Sequence, residues 1–168
     1  YSSCKGIQNR LDKELRNERL VGSLRTVGSV TPRLRAGTAA DIDDVLALWK
    51  RAETGPSTTE SAEDLRWLLE RDAEALLLAD AEGAIVGSLI AGWDGWRGTF
   101  YRLAVDPAHR RRGLATRMVG AGEERLRTLG AKRLNAIVES EEADAMAFWA
   151  SAGYELQTAR SRFVKNLR

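Results

Sequence analysis

The chain has 168 residues, 43% hydrophobic and 30% charged, a composition that suits one domain with a real core and a polar surface. No apolar run approaches the ~18 residues of a membrane span, no apolar signal region follows the basic N-terminal residues, and the single cysteine (Cys4) and single histidine (His109) exclude a disulfide framework or a cysteine-rich metal site within one chain. Residues 1–30 carry six basic against three acidic side chains and residues 31–168 carry 20 against 21, so the body lacks the basic footprint of a nucleic-acid binder; a cytoplasmic protein with no membrane partner and no metal is expected.

In residues 1–30, Ile7, Leu11 and Leu15 recur at helical spacing and Gly22, Ser23, Gly28 and Ser29 read as a linker. This segment is either an arm that binds a partner or pairs two copies into a homodimer, or an unordered extension; the plainer reading is preferred. The domain proper is expected over residues 31–168. It opens with a strand at Arg33–Ala36, then a helix capped by Thr38 with Ile42, Val45, Leu46 and Trp49 on its apolar face. A loop at 54–59 leads to a helix over 61–71 with Leu65, Leu68 and Leu69 inward. A buried strand at 75–79 turns through 80–83 into its partner at 84–93, and a second turn at Asp94-Gly95 leads into a strand at 99–105. A helix at 113–129 ends at Gly130, a strand follows at 133–138, and a short helix around Ala145, Phe148, Trp149 and Ala152 ends at Gly153. Residues 154–157 and 161–164 read as closing strands. The order βααβββαβαββ predicts an α/β (α+β) fold: a mixed, mostly antiparallel sheet of six to seven strands with helices on both faces.

The most informative stretch is 103–115, LAVDPAHRRRGLA. An apolar strand end (Leu103, Ala104, Val105) meets Asp106-Pro107, three arginines follow (Arg110, Arg111, Arg112), and Gly113 opens a helix. The first N–H groups of a helix lack partners, and successive free N–H groups form an anion-binding concavity that guanidinium groups reinforce. Three readings stand at this point: a pyrophosphate site, a nucleic-acid contact, and a solvated basic loop. The strand–turn–helix setting favours the first, because Gly113 removes a Cβ where a phosphate must come close and Ala115 keeps the first turn small. The P-loop and dinucleotide fingerprints are both absent.

Arg110-Arg111-Arg112-Gly113-Leu114-Ala115 fits the pattern [Q/R]-x-x-G-x-[G/A], and Ala145-Met146-Ala147-Phe148-Trp149 with Gly153-Tyr154 is similar to A-x-x-F-Y-x-x-x-G-F. Together these segments resemble the GNAT N-acyltransferase superfamily over residues 31–168. The resemblance implies a GNAT-like sheet, acetyl-CoA as cosubstrate, and direct attack by a primary amine (a small molecule or a protein amino group) in a ternary complex. It implies a pantetheine arm pairing with the backbone of Leu103, Ala104 and Val105. The pyrophosphate would rest on the N–H groups of Arg111, Arg112, Gly113, Leu114, Ala115 and Thr116, with Arg110 and Arg112 assisting.

Departures from the pattern bear on catalysis. Many relatives carry Tyr where Trp149 stands, Asn where Glu142 stands, and a Glu on the active strand, whereas residues 99–105 hold no carboxylate. The acid for the leaving thiolate is then Tyr101 or Tyr154, or there is no dedicated acid; Tyr154 is expected to belong to the closing strand. The base is Glu139 at the end of the next strand, with Asp94 or a water chain as alternatives, and His109 is expected to fix its loop or face solvent. The backbone near residues 103–105 is the candidate oxyanion donor. For the acceptor, Trp93, Asp94 and Trp96 are the candidate contacts, while Trp49 and Trp67 are expected in the core. A non-catalytic acyl-CoA sensor is the alternative function, and a basic-helix nucleic-acid binder a distant third.

Overall fold

The structure is a computed structural model and describes residues 31–55 and 59–167. The expected helix and linker of residues 1–30, and residues 56–58 of the 54–59 loop, lie outside the described residues.

Among the described residues five strands form one sheet, ordered β1 (Arg33–Ala36), β2 (Leu76–Ala81), β3 (Ala84–Trp93), β4 (Gly98–Val105) and β5 (Leu134–Ala136). The first four pair antiparallel in succession, and β5 runs parallel to β4. A parallel neighbour needs a crossover, which α3 (Leu114–Thr128) supplies. The other helices are α1 (Ile42–Arg51), α2 (Ala62–Arg71) and α4 (Ala143–Ser151).

Side-chain alternation along the strands builds two cores. Leu76, Leu78 and Ile90 pack with Ile42, Val45, Leu48 and Trp49 of α1 and Leu65 of α2. Ala79, Leu89, Ala91 and Phe100 point to the other face, against Met118, Val119 and Leu126 of α3 and Trp149 of α4. Helices therefore cover both faces, as the order of elements predicts. On α1 the buried stripe includes Leu48, and Leu46 is only partly buried. Helix α2 begins on a reciprocal cap: the Ser61 hydroxyl accepts from Asp64 N at 3.0 Å and the Asp64 carboxylate accepts from Ser61 N at 3.2 Å. Gly122 lets α3 approach the sheet, since a Cβ there would lie 2.7 Å from the Phe100 ring.

Two expectations need correcting. The strand expected at 133–138 is shortened to Leu134–Ala136, because it pairs only with the Gly98–Phe100 end of β4. The closing strands at 154–157 and 161–164 are not formed, so the sheet has five strands rather than six or seven. Tyr154, the apolar anchor of the first, turns back onto α4 and α3: its ring meets Trp149 at 4.8 Å and its hydroxyl donates to Glu123 Oε1 at 2.8 Å. Leu156, Phe163 and Val164 are left exposed among charged residues, and strand propensity without a paired edge makes no strand.

Candidate functional site

The site is built around an irregularity in β4. Ser88 of β3 faces Ala104, but Ile90 faces Tyr101, so β4 carries one extra residue. Arg102 lies in this bulge with φ +52°, a left-handed conformation uncommon for a side chain of its size. A polar chain anchored on the buried Ser88 fastens it: Trp49 Nε1 donates to Ser88 Oγ at 2.8 Å, and Ser88 Oγ donates to the Arg102 carbonyl at 3.2 Å. The Arg102 side chain lies over the Trp49 ring at 5.3 Å, ion-pairs Glu60, and donates to the Gly55 carbonyl at 2.8 Å. Burial pulls its guanidinium below the ordinary arginine value.

Beyond the bulge β4 and β5 part, since their pairing ends at Phe100 and Ala136. A cavity of about 690 Å³ fills the gap, walled by Leu103, Ala104 and Val105 on one side and by Ala145, Phe148 and Trp149 of α4 on the other. Its far end is the basic turn. Asp106 starts a short turn at Pro107–His109. Burial pushes the Asp106 carboxyl up, but the Ala108 N–H and the Arg51 guanidinium outweigh it and hold the group below the usual carboxylate value. Arg111 (φ +60°) and Gly113 (φ +73°) are both left-handed, which curls the backbone into a nest. No carbonyl among the described residues receives the N–H groups of residues 111–116; the first helical donor of α3 is Arg117, to the Gly113 carbonyl at 3.1 Å. A Cβ on Gly113 would meet nothing within 4 Å and would project into open space.

The three arginines differ in what they do. Arg110 Nε donates to the Val105 carbonyl at 3.1 Å and its Nη2 to the Ala52 carbonyl at 2.9 Å, which ties the end of α1 to the turn. Arg111 pairs with Asp144 of α4 at 2.9 Å with both side chains exposed, a contact of small energetic weight. Arg112 is exposed. His109 lines the same cavity with Nδ1 buried, 3.9 Å from Asp106 Oδ1.

A second cavity of about 1260 Å³ opens on the other side of the bulge, over β3, β4 and α2. The two cavities share part of their walls, including Leu103, Glu139, Glu142 and Trp149. The structure brings Glu139 to this junction and puts Tyr101 and Trp93 on the larger cavity. It places Asp94 and Trp96 elsewhere. Asp94 accepts from the N–H groups of Trp96 (2.8 Å) and Arg97 (2.6 Å) within its own turn, and Trp96 is exposed beneath Arg97. Neither Asp94 nor Trp96 lines the larger cavity. Tyr154 lines neither cavity; burial and its bond to Glu123 push its phenol well above the ordinary value. Trp49 is in the core as expected, but Trp67 lines the larger cavity. The helical wheel carried that signal, because Trp67 falls two residues past Leu65 and so opposite the buried stripe. No motif in the sequence points to Arg102 or Ser88. An arginine between Tyr101 and Leu103, in an otherwise apolar strand end, was the available clue.

The acetyltransferase (GNAT) family matches residues 42–154. An acetyltransferase of Yersinia enterocolitica is 32% identical over 124 residues, covering 74% of this chain and 88% of that protein. Among solved structures, Ard1 of Thermoplasma volcanium superposes with a TM-score of 0.69 at 18% identity, over 77% of this chain and 86% of that one. The PaiA N-acetyltransferase of Thermoplasma acidophilum, solved with coenzyme A, gives 0.67 at 12% identity, over 76% and 92%. Sequence match, order of elements and the open N–H turn agree: the chain belongs to the GNAT acetyltransferase family, whose members move an acetyl group from acetyl-CoA to an amine.

Proposed function

We propose that residues 31–168 form the catalytic domain of a cytoplasmic enzyme that acetylates a primary amine by direct attack on acetyl-CoA, with residues 1–30 an extension to it. The observation that carries this is the run of N–H groups at residues 111–116 that no carbonyl among the described residues receives, closing a cavity that meets a second cavity at a strand bulge. The nest and the start of α3 supply N–H donors and positive potential for the pyrophosphate. Arg110 acts through the backbone it fastens; Arg111 lines the cavity and its exposed pair with Asp144 leaves it able to reach the phosphates, whereas Arg112 lies outside the cavity's lining. Leu103, Ala104 and Val105 offer their open edge to the pantetheine arm.

The amine enters the larger cavity and meets the thioester at the junction. It must lose a proton before it attacks, and of the two carboxylates at that junction, Glu139 and Glu142, Glu139 is assigned to take it. The β4 backbone at residues 103–105 faces the carbonyl as oxyanion donor. Tyr101 lines the acceptor cavity only, so its hydroxyl is better placed to orient the amine than to reach the sulfur. A thiolate is a competent leaving group without prior protonation, and the family Tyr is replaced here by Trp149, which donates a hydrogen bond but no proton. Glu139→Gln tests the assignment. Free-thiol release with an accepted amine should fall about 100-fold in kcat while acetyl-CoA affinity by calorimetry is unchanged. Unaltered kcat would remove Glu139 from the mechanism.

A further inference from the structure

With the transferase reading of the site as its basis, the larger cavity carries a pattern that selects among amines. Four large apolar side chains lie about half exposed on this one surface: Trp67 (40%), Tyr101 (44%), Leu129 (43%) and Ile137 (43%). Scattered singly, such residues need no explanation; gathered in one concavity they mark a place where an apolar group docks. The volume of about 1260 Å³ is far more than a small alkylamine fills.

The charges are sorted as well. Four carboxylates line the cavity, but Asp64 is engaged in the cap of α2 and Asp72 ion-pairs Arg125. The two others, Glu139 and Glu142, both stand on the wall shared with the donor cavity, where the reacting nitrogen must come. Arg71 and Arg162 line the larger cavity but not the donor cavity. One ammonium is therefore provided for, at the inner end. A second positive charge further out finds no unengaged carboxylate among the described residues of this cavity and meets the exposed guanidinium groups of Arg71 and Arg162, which carry its own sign.

We propose that the acceptor is an aromatic or otherwise apolar monoamine, its amine held at Glu139 and Glu142 and its body against Trp67 and Tyr101. Polyamines and other polycations are selected against. The test is free-thiol release by the full chain with saturating acetyl-CoA and four amines: phenylethylamine, propylamine, cadaverine and spermidine. Phenylethylamine should exceed the other three by about tenfold or more in kcat/KM. Trp67→Ala should raise the KM for phenylethylamine about tenfold, Trp67→Phe should restore most of it, and acetyl-CoA affinity by calorimetry should be the same in all three proteins. Preference for cadaverine or spermidine, or an unmoved KM in Trp67→Ala, overturns the acceptor class and leaves the transferase reading intact. Thiol release with none of the four, while acetyl-CoA still binds, overturns the acceptor class and leaves open transfer to a protein amino group.

Discussion

Gly113 concentrates two requirements in one residue. Its φ of +73° is strained for any side chain, and the space its missing Cβ leaves open adjoins the N–H groups of residues 111–116, which no carbonyl among the described residues receives. Gly113→Glu adds strain and sets a carboxylate where the pyrophosphate is proposed to sit. Calorimetry should show coenzyme A affinity reduced at least 100-fold, about 3 kcal/mol, from the lost nest and the like charge together; an unchanged isotherm would remove the phosphate assignment. Asp41 is a residue of another kind, structural rather than catalytic. The Arg35 guanidinium, at 2.6 and 2.9 Å, holds its carboxyl well below the usual carboxylate range; burial opposes this and the Thr38 N–H and hydroxyl add to it. Because the folded value is depressed, the contribution is fully present above the unfolded value of about 4 and fades as the pH falls below it. Asp41→Asn should cost about 2 kcal/mol at pH 7 by denaturant titration, and its gap to the parent protein should narrow steadily below pH 4. A gap independent of pH would show that the loss is steric.

At the scale of elements, the bulge in β4 is held by a relay that crosses three of them: Trp49 on α1, Ser88 on β3 and the Arg102 carbonyl on β4. Ser88→Ala leaves a buried indole N–H without an acceptor and releases the carbonyl, which should cost about 1–3 kcal/mol in a thermal or denaturant melt. If the bulge shapes the site, kcat should drop as well with the coenzyme A affinity little changed, since the nest lies beyond the strand; equal kcat would make the relay purely structural. These elements also show why some of the molecule was legible in the sequence and some was not. The strands and helices follow from local periodicity, and the nest follows from six consecutive residues whose backbone is proposed to do the binding, so both could be read along the chain. The walls of the cavities could not. Arg110 looks like a phosphate ligand in sequence, but its guanidinium reaches back to Ala52, a contact that exists only once α1 has docked. Trp67 and Trp96 exchange their expected places for the same reason: which aromatic faces a cavity depends on how α2 and the β3–β4 turn sit on the sheet. The closing strands failed because a strand needs an edge, and propensity does not say where that edge is.

At the scale of the whole domain, the two cores share β2, β3 and β4, each strand giving alternate side chains to opposite faces. Neither core can melt without uncovering the other, so residues 32–167 should unfold in one cooperative transition. The donor cavity draws on both halves: Ala52, Thr54 and Gly55 from the end of α1 and its loop, Leu103–Val105 from the sheet, and Ala145, Phe148 and Trp149 from α4. A ligand there binds only the assembled arrangement and should stabilise the domain as a unit. At 100 times its dissociation constant, coenzyme A should add about 2.7 kcal/mol, raising the melting temperature by roughly 5–10 °C in a single transition. Gly113→Glu should melt as one transition too but, at the same coenzyme A concentration, show at most a small fraction of that shift. Two resolved transitions, only one of them moved by the ligand, would show that the faces fold independently and that the site belongs to one of them.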